Sequence, residues 1–213
     1  MIKKVLKRHF WPLIIFYRFV LPKSSYLHST GWVESIKRGY PCKDSGDEAP
    51  WMNYAVINIL SERLNKGLHL FEFGSGYSTL FYAKLVKSVT SIEYDRKWFD
   101  LMLEKAPDNV TLEYKDKDVD GGYCRAINGP GREYDVVIVD GRDRVNCVKQ
   151  SIEKLSPVGV VILDDSSREK YCGAVEHATA KWFSALNIDG LKPTGYGIHR
   201  TTILYRENNC LGI

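Results

Sequence analysis

Phe71–Thr79 reads FEFGSGYST and follows directly on an apolar run that opens at Leu68. A run of this kind that stops at two closely spaced glycines and continues into YSTLFYAKLV has the pattern of a strand, a tight turn and a helix. Glycines in such a turn let the backbone approach a ligand, and the helix that starts after them offers unpaired N–H groups to it. A nucleotide-like ligand is therefore expected here. The GxGxxG dinucleotide fingerprint is incomplete, because Ser78 and Thr79 follow Gly74 and Gly76 with no third glycine. Glu72, two residues before the first glycine, would face a pyrophosphate badly and suits a cationic ligand.

Outward from this turn the chain alternates. A helix beginning near Pro50, with Trp51, Ala55, Val56, Ile59, Leu60 and Leu64 at helical spacing, is expected to end at Gly67. LHLFEF, VTSIEYD and VTLEYK read as strands separated by the helices YSTLFYAKLV and RKWFDLMLEK. YDVVIVDG and VGVVILDD are apolar enough to be buried on both faces, with the helix RVNCVKQSIEKL between them. SREKYCGAVEHATAKWFSAL reads as one long helix and GIHRTTILYR as a last strand. The alternation predicts an α/β, doubly wound, mostly parallel sheet whose ligand lies at the carboxyl ends of the strands. Trp98, Trp182 and Tyr82 fall on apolar helical faces and read as core.

The 213 residues suit one domain with an appendage: an arm and linker over 1–48 and a domain over 49–213. Five scattered cysteines without a CxxC pair and five histidines without HxxxH spacing suggest neither a disulfide framework nor a zinc site, and a reducing, cytoplasmic compartment fits. Lys3, Lys4, Lys7, Arg8, Arg18 and Lys23 give the first 23 residues six positive charges and no acid, while the remainder carries −2. This asymmetry argues against a nucleic-acid footprint on the folded body and moves any anionic partner to the arm. The apolar run Phe10–Leu21 is about half the ~20 residues needed to span a bilayer, and no small-x-small cleavage site follows it. Two expectations remain for residues 1–23: peripheral contact with the inner face of a membrane, or a helix packed on the domain or in a homodimer.

ExGxG in FEFGSG, the acid ending SIEYD, the Asp ending VIVDG, and LSPVG leading into VVILDD together resemble the class I S-adenosylmethionine-dependent methyltransferases, from about Leu68 to the C-terminus. Within that superfamily GSGYSTLFYAK, YDVVIVDGRDR and VVILDDSSREKY are similar to a bacterial group of small-molecule methyltransferases and, more distantly, to plant glucuronoxylan glucuronic-acid O-methyltransferases. Val158 departs from the usual double glycine of that family. The resemblance implies a seven-stranded Rossmann-like sheet with an N-terminal helical extension and S-adenosyl-L-methionine as cofactor. Gly74, Ser75 and Gly76 would line its methionine and ribose side, and Glu72 would accept from its ammonium directly or through water. Ser78 and Thr79 would cap the helix or touch its carboxylate, and Glu93 would accept the ribose hydroxyls. Asp116 and Asp118 would either reach the adenine or form a solvated acidic loop.

Strand register brings Asp140, Asp164 and Asp165 to neighbouring points of one cleft mouth. One of them could take the acceptor's proton, or the three could hold a divalent metal, or Asp140 could serve the cofactor while Asp164 or Asp165 caps the next helix. Arg142, Arg144 and Arg168 flank these acids as an ion-pair net, or point into the cleft towards an anionic acceptor. The expected function is methyl transfer to oxygen of a small-molecule or glycan-type acceptor. The alternatives are a nicotinamide-dependent oxidoreductase on a similar sheet and a cofactor-binding or membrane-docked scaffold without catalysis. No DPPY-like or NPPY-like tetrapeptide ends the fourth strand, so nucleic acid is not the expected substrate.

Overall fold

The computed structural model describes residues 2–129 and 131–213, with side chains from Phe10 onward apart from that of Pro130. The side chains of Lys3, Lys4, Lys7 and Arg8 lie outside the described residues. Helix α1 (Ile2–Phe19) runs through Pro12, and the short α2 (Tyr26–Ser29) and α3 (Trp32–Arg38) follow. Gly39–Pro50 folds back on itself: Cys42 bridges Glu48, and both Cys42 and Ser35 are fully buried.

Helix α4 spans Tyr54–Arg63. It starts later than its apolar spacing suggested because Asn53 caps it, accepting the Val56 N–H at 3.1 Å. Strand β1 (His69–Phe73), α5 (Tyr77–Leu85), β2 (Ser88–Glu93), α6 (Arg96–Leu103) and β3 (Val110–Tyr114) make the first half. The second half holds α7 (Gly122–Arg125), β4 (Tyr134–Val139), α8 (Arg144–Ile152), β5 (Leu155–Leu163), α9 (Cys172–Ala180), β6 (Ser184–Gly190) and β7 (His199–Tyr205).

The seven strands form one sheet in the order β3-β2-β1-β4-β5-β7-β6, parallel except for β7, which runs antiparallel to β5 and β6. This is the doubly wound arrangement expected, with the order reversing between β1 and β4. Period-two alternation splits the strand side chains between two cores. Phe71, Phe73, Val137, Val139, Val161 and Leu163 pack under α7, α8 and α9, while Leu70, Val136, Ile138 and Ile162 pack under α4 and α5.

One expected element is corrected. The long helix read through Leu186 stops at Ala180, and Ser184–Gly190 instead joins the sheet edge as β6. The break sits at Trp182, which has φ +66° and is 91% exposed, so it is not a core residue. Tyr82 is fully buried as expected, whereas Trp98 and Trp51 border the cleft described next.

Candidate functional site

A cleft of ≈ 930 Å³ opens where β1 and β4 part, at the carboxyl ends of the strands. Its floor is the Gly74–Ser75–Gly76 turn. Gly74 has φ +95°, and a Cβ there would lie 2.9 Å from the Gly141 Cα, so the turn needs glycine to let β1 and β4 ends approach. A Cβ on Gly76 would meet nothing closer than 3.8 Å, because that position borders the cleft.

Glu72 does not line the cleft. It is fully buried, and its carboxylate accepts the hydroxyls of Ser78, Thr79 and Ser91. Burial pushes it up to about 7 against the pull of those three hydroxyls. The expectation of a direct contact with a ligand ammonium is therefore corrected: the hydroxyls at the start of α5 and on β2 occupy the carboxylate. Thr79, in the first turn of α5, also accepts the N–H of the N-cap residue Gly76 at 2.9 Å, while Ser78 reaches the cleft wall.

Glu93 ends β2 on the cleft wall and is 3% exposed. The Tyr94 and Asp95 N–H groups donate to Oε1 at 2.9 and 2.8 Å, and the Ser75 N–H donates to Oε2 at 3.0 Å. The fourth donor is the Ser75 hydroxyl at 3.2 Å, which can rotate away in favour of a ligand hydroxyl. Burial raises the Glu93 pKa, opposed by these hydrogen bonds. Asp95 caps α6, and Trp98 on that helix donates its ring N–H to the Ser75 carbonyl at 2.7 Å. Tyr77 stands edge-on to Trp98 and stacks on Tyr40, giving the cleft an aromatic wall. Asp116 and Asp118 are elsewhere: Asp116 accepts the Tyr114 hydroxyl, and Asp118 accepts the N–H groups of Gly122 and Tyr123 at the start of α7.

Asp140, Asp164 and Asp165 do come together, but each has its own cation or hydroxyl. Arg144 is buried and binds the Asp140 carboxylate at 2.8 Å. Thr201 donates to Asp164 at 2.7 Å and itself accepts from Asn53 at 3.0 Å, so the cap of α4 supports the end of β5. The other Asp164 oxygen is buried without a hydrogen bond, 4.0 Å from the Lys192 ammonium. Asp165, held at φ +51°, takes Lys192 at 3.1 Å, His199 Nδ1 at 3.3 Å and Arg168.

Burial first, and the Asp164 carboxylate second, push Asp140 up, while Arg144 and Lys192 pull it down. Its side chain keeps 26% of its surface on the cleft, so water moderates the rise. Burial also raises Asp164. For Asp165 burial is outweighed by Lys192, Arg168 and Arg144, which hold it below the usual carboxylate range. Among the described residues no group of three or more His, Cys, Asp or Glu side chains is arranged to hold a metal ion. The three-carboxylate metal arrangement is thus replaced by arginine and lysine pairing, and neither Asp164 nor Asp165 caps a helix. Arg142 lies over the Tyr94 ring at 5.0 Å on the cleft wall, and Arg168 borders the cleft as well.

A second cavity of ≈ 590 Å³ shares Trp51, Asp140 and Arg168 with the first and is otherwise lined by the loop from Lys192 to His199. Sequence reading missed Lys192 and His199 as site residues. The signal was topological: β7 runs antiparallel, so its first residue arrives at the carboxyl ends of the parallel strands.

The neighbours in structure share the fold. A candidate O-methyltransferase from Klebsiella pneumoniae superposes with TM-score 0.56 at 15% identity, covering 92% of this chain and 95% of that one. The fold is that of the class I methyltransferases. Precorrin-6y C5,15-methyltransferase from Geobacter metallireducens follows at 0.54 and 14% identity, covering 72% and 87%. A candidate methyltransferase from Streptococcus mutans in complex with SAH gives 0.51 at 16%, covering 70% and 94%. No family model and no curated protein matches the sequence. At these identities the likeness is one of fold, and the methyltransferase fold supports a ligand at the strand ends where the cleft lies.

Proposed function

We propose that the chain transfers a methyl group from S-adenosylmethionine to a hydroxyl oxygen of a small-molecule or glycan-type acceptor. The observation that carries this reading is Glu93, a carboxylate on the wall of the large cleft with one replaceable donor, beside the glycine turn. It suits the vicinal hydroxyls of a ribose. Gly76 keeps open the space a side chain would fill, and the Trp98–Tyr77 wall offers an apolar face for a flat base. When bound, the cofactor supplies an electrophilic sulfonium methyl group.

The rest of the chemistry falls to residues at the seam of the two cavities. Asp140 borders both and supplies negative charge next to where a cationic centre would lie. His199 engages Asp165 through Nδ1, which leaves Nε2 to take the acceptor's proton, and Asp165 stabilises the resulting imidazolium. Arg168 and Lys192 on the second cavity favour an acceptor that carries negative charge.

Calorimetry of the full chain tests the reading. Micromolar binding of S-adenosylmethionine and of its demethylated product, on the order of −8 kcal/mol, is expected. Tight binding of NADH with no response to S-adenosylmethionine would replace the reading with the oxidoreductase alternative. Cofactor binding without release of the demethylated product, across hydroxyl acceptors with and without a carboxylate, would favour the scaffold.

A further inference from the structure

From Phe10 onward helix α1 carries a broad apolar face. Successive helical residues turn by about 100°, and Trp11, Leu13, Ile15, Phe16, Tyr17 and Phe19 between them cover about two thirds of the circumference, the remaining arc holding Arg18. All six are exposed, from 45% at Ile15 to 68% at Tyr17. So broad an apolar face belongs against an apolar phase, and neither of the domain's two cores includes it. Among the described residues no helix is long and apolar enough to cross a membrane.

The root of α1 is anchored. His28 Nε2 lies 2.8 Å from the Val20 carbonyl, Tyr26 packs edge-on against Tyr54, and Trp32 donates to the Gly195 carbonyl at 2.6 Å. Gly195 belongs to the loop that borders the second cavity, and its neighbours Tyr196 and Ile198 are exposed. The helix is thus tied to the body at one end and exposed from Phe10 to Phe19.

Charge selects the occupant. The first 23 residues carry six Lys and Arg and no acid. A second copy docked on this helix would bring like charges together with nothing in the segment to offset them, whereas an anionic lipid surface supplies both negative headgroups and an apolar layer. The apolar part is short and bounded by Lys7, Arg8 and Lys23, and Trp11 and Tyr17 suit the headgroup boundary. Arg18 can extend its stem to the same level.

We infer that α1 docks the protein on an anionic membrane surface, lying in the interface without crossing it. The inference does not depend on the methyl-transfer reading, because its test reads lipid binding alone. The full chain is sedimented with vesicles of phosphatidylcholine containing phosphatidylserine, and with vesicles of phosphatidylcholine alone. Expected are stronger binding to the anionic vesicles, release as salt rises, and a drop of about fivefold for each of Lys3, Lys4, Lys7 and Arg8 changed to Gln. The double variant Trp11→Glu, Phe16→Glu should lose vesicle binding while its thermal unfolding stays that of the parent. Equal binding to the two vesicle types would overturn the proposal. So would a full chain that ignores vesicles and sediments as a dimer which the double variant turns into a monomer.

Discussion

Arg144 holds Asp140 twice, through the carboxylate at 2.8 Å and through the backbone carbonyl at 2.8 Å. The same guanidinium donates to the Asp164 carbonyl at 2.6 Å and the Gly141 carbonyl at 3.1 Å, so one side chain ties the ends of β4 and β5 together. Truncating it leaves the Asp140 carboxylate without its partner and three carbonyls without a donor. Arg144→Ala should cost roughly 3 kcal/mol, the low end for breaking a buried pair because Asp140 keeps contact with the cleft. Arg144→Lys should recover only part of that, since an ammonium cannot span all four acceptors. Urea unfolding checks both.

Glu72 makes stability depend on pH in a definite direction. Burial raises it from its usual 4.5 to about 7, so the folded chain holds this proton more tightly than the unfolded chain does. Its contribution is therefore greatest in acid and is lost as pH rises from 4.5 to about 7, a change on the order of 3 kcal/mol. Glu72→Gln should flatten that part of the profile. Chemical denaturation of both proteins between about pH 5 and 8 measures it, and a slope that is the same in the variant would reject this origin.

The two glycines of the turn should behave differently on substitution by alanine. At Gly74 the positive φ and the Gly141 backbone leave no room, so Gly74→Ala should destabilise the fold by about 1 to 3 kcal/mol. At Gly76 the added methyl meets only ordinary contacts and points to the cleft. Gly76→Ala should leave unfolding within about 0.5 kcal/mol of the parent and weaken S-adenosylmethionine. Glu93→Ala should weaken it as well, by roughly 1 to 3 kcal/mol. Calorimetry beside a thermal melt separates the two effects.

His199→Gln keeps a polar side chain but cannot take a proton. On a hydroxyl acceptor identified by product release, kcat should fall about 10² to 10⁴-fold with cofactor affinity unchanged. Asp165→Asn should lower kcat less, because it removes the imidazolium's partner and leaves the ring in place. If His199→Gln turns over at the parent rate, the proton goes elsewhere, and Asp140 is the next group to change.

The sequence by itself determined the order of strands and helices from Leu68 to Leu163 apart from the short α7, because apolar runs buried on both faces and the glycine turn are local patterns, whereas α7 lies in an Asp- and Gly-rich stretch that reads as a loop. It also placed Glu93 and Asp140 at strand ends, where register alone delivers them to the cleft. Tertiary structure decided what those patterns leave open. Glu72 is also a carboxylate on a strand and is nearer the glycines in sequence than Glu93, yet the hydroxyls of Ser78, Thr79 and Ser91, the last of them on another strand, take it out of the site. His199 and Lys192 join the site only because β7 runs antiparallel, and that follows from the β6 edge strand hidden behind a helical pattern at Trp182. Charge balance at Asp140, Asp164 and Asp165 was undetermined for the same reason. Arg144, four residues from Asp140, was legible as an ion-pair candidate, but Thr201, Lys192 and His199 come from segments 27 to 37 residues away, and only the folded sheet brings them within hydrogen-bond reach.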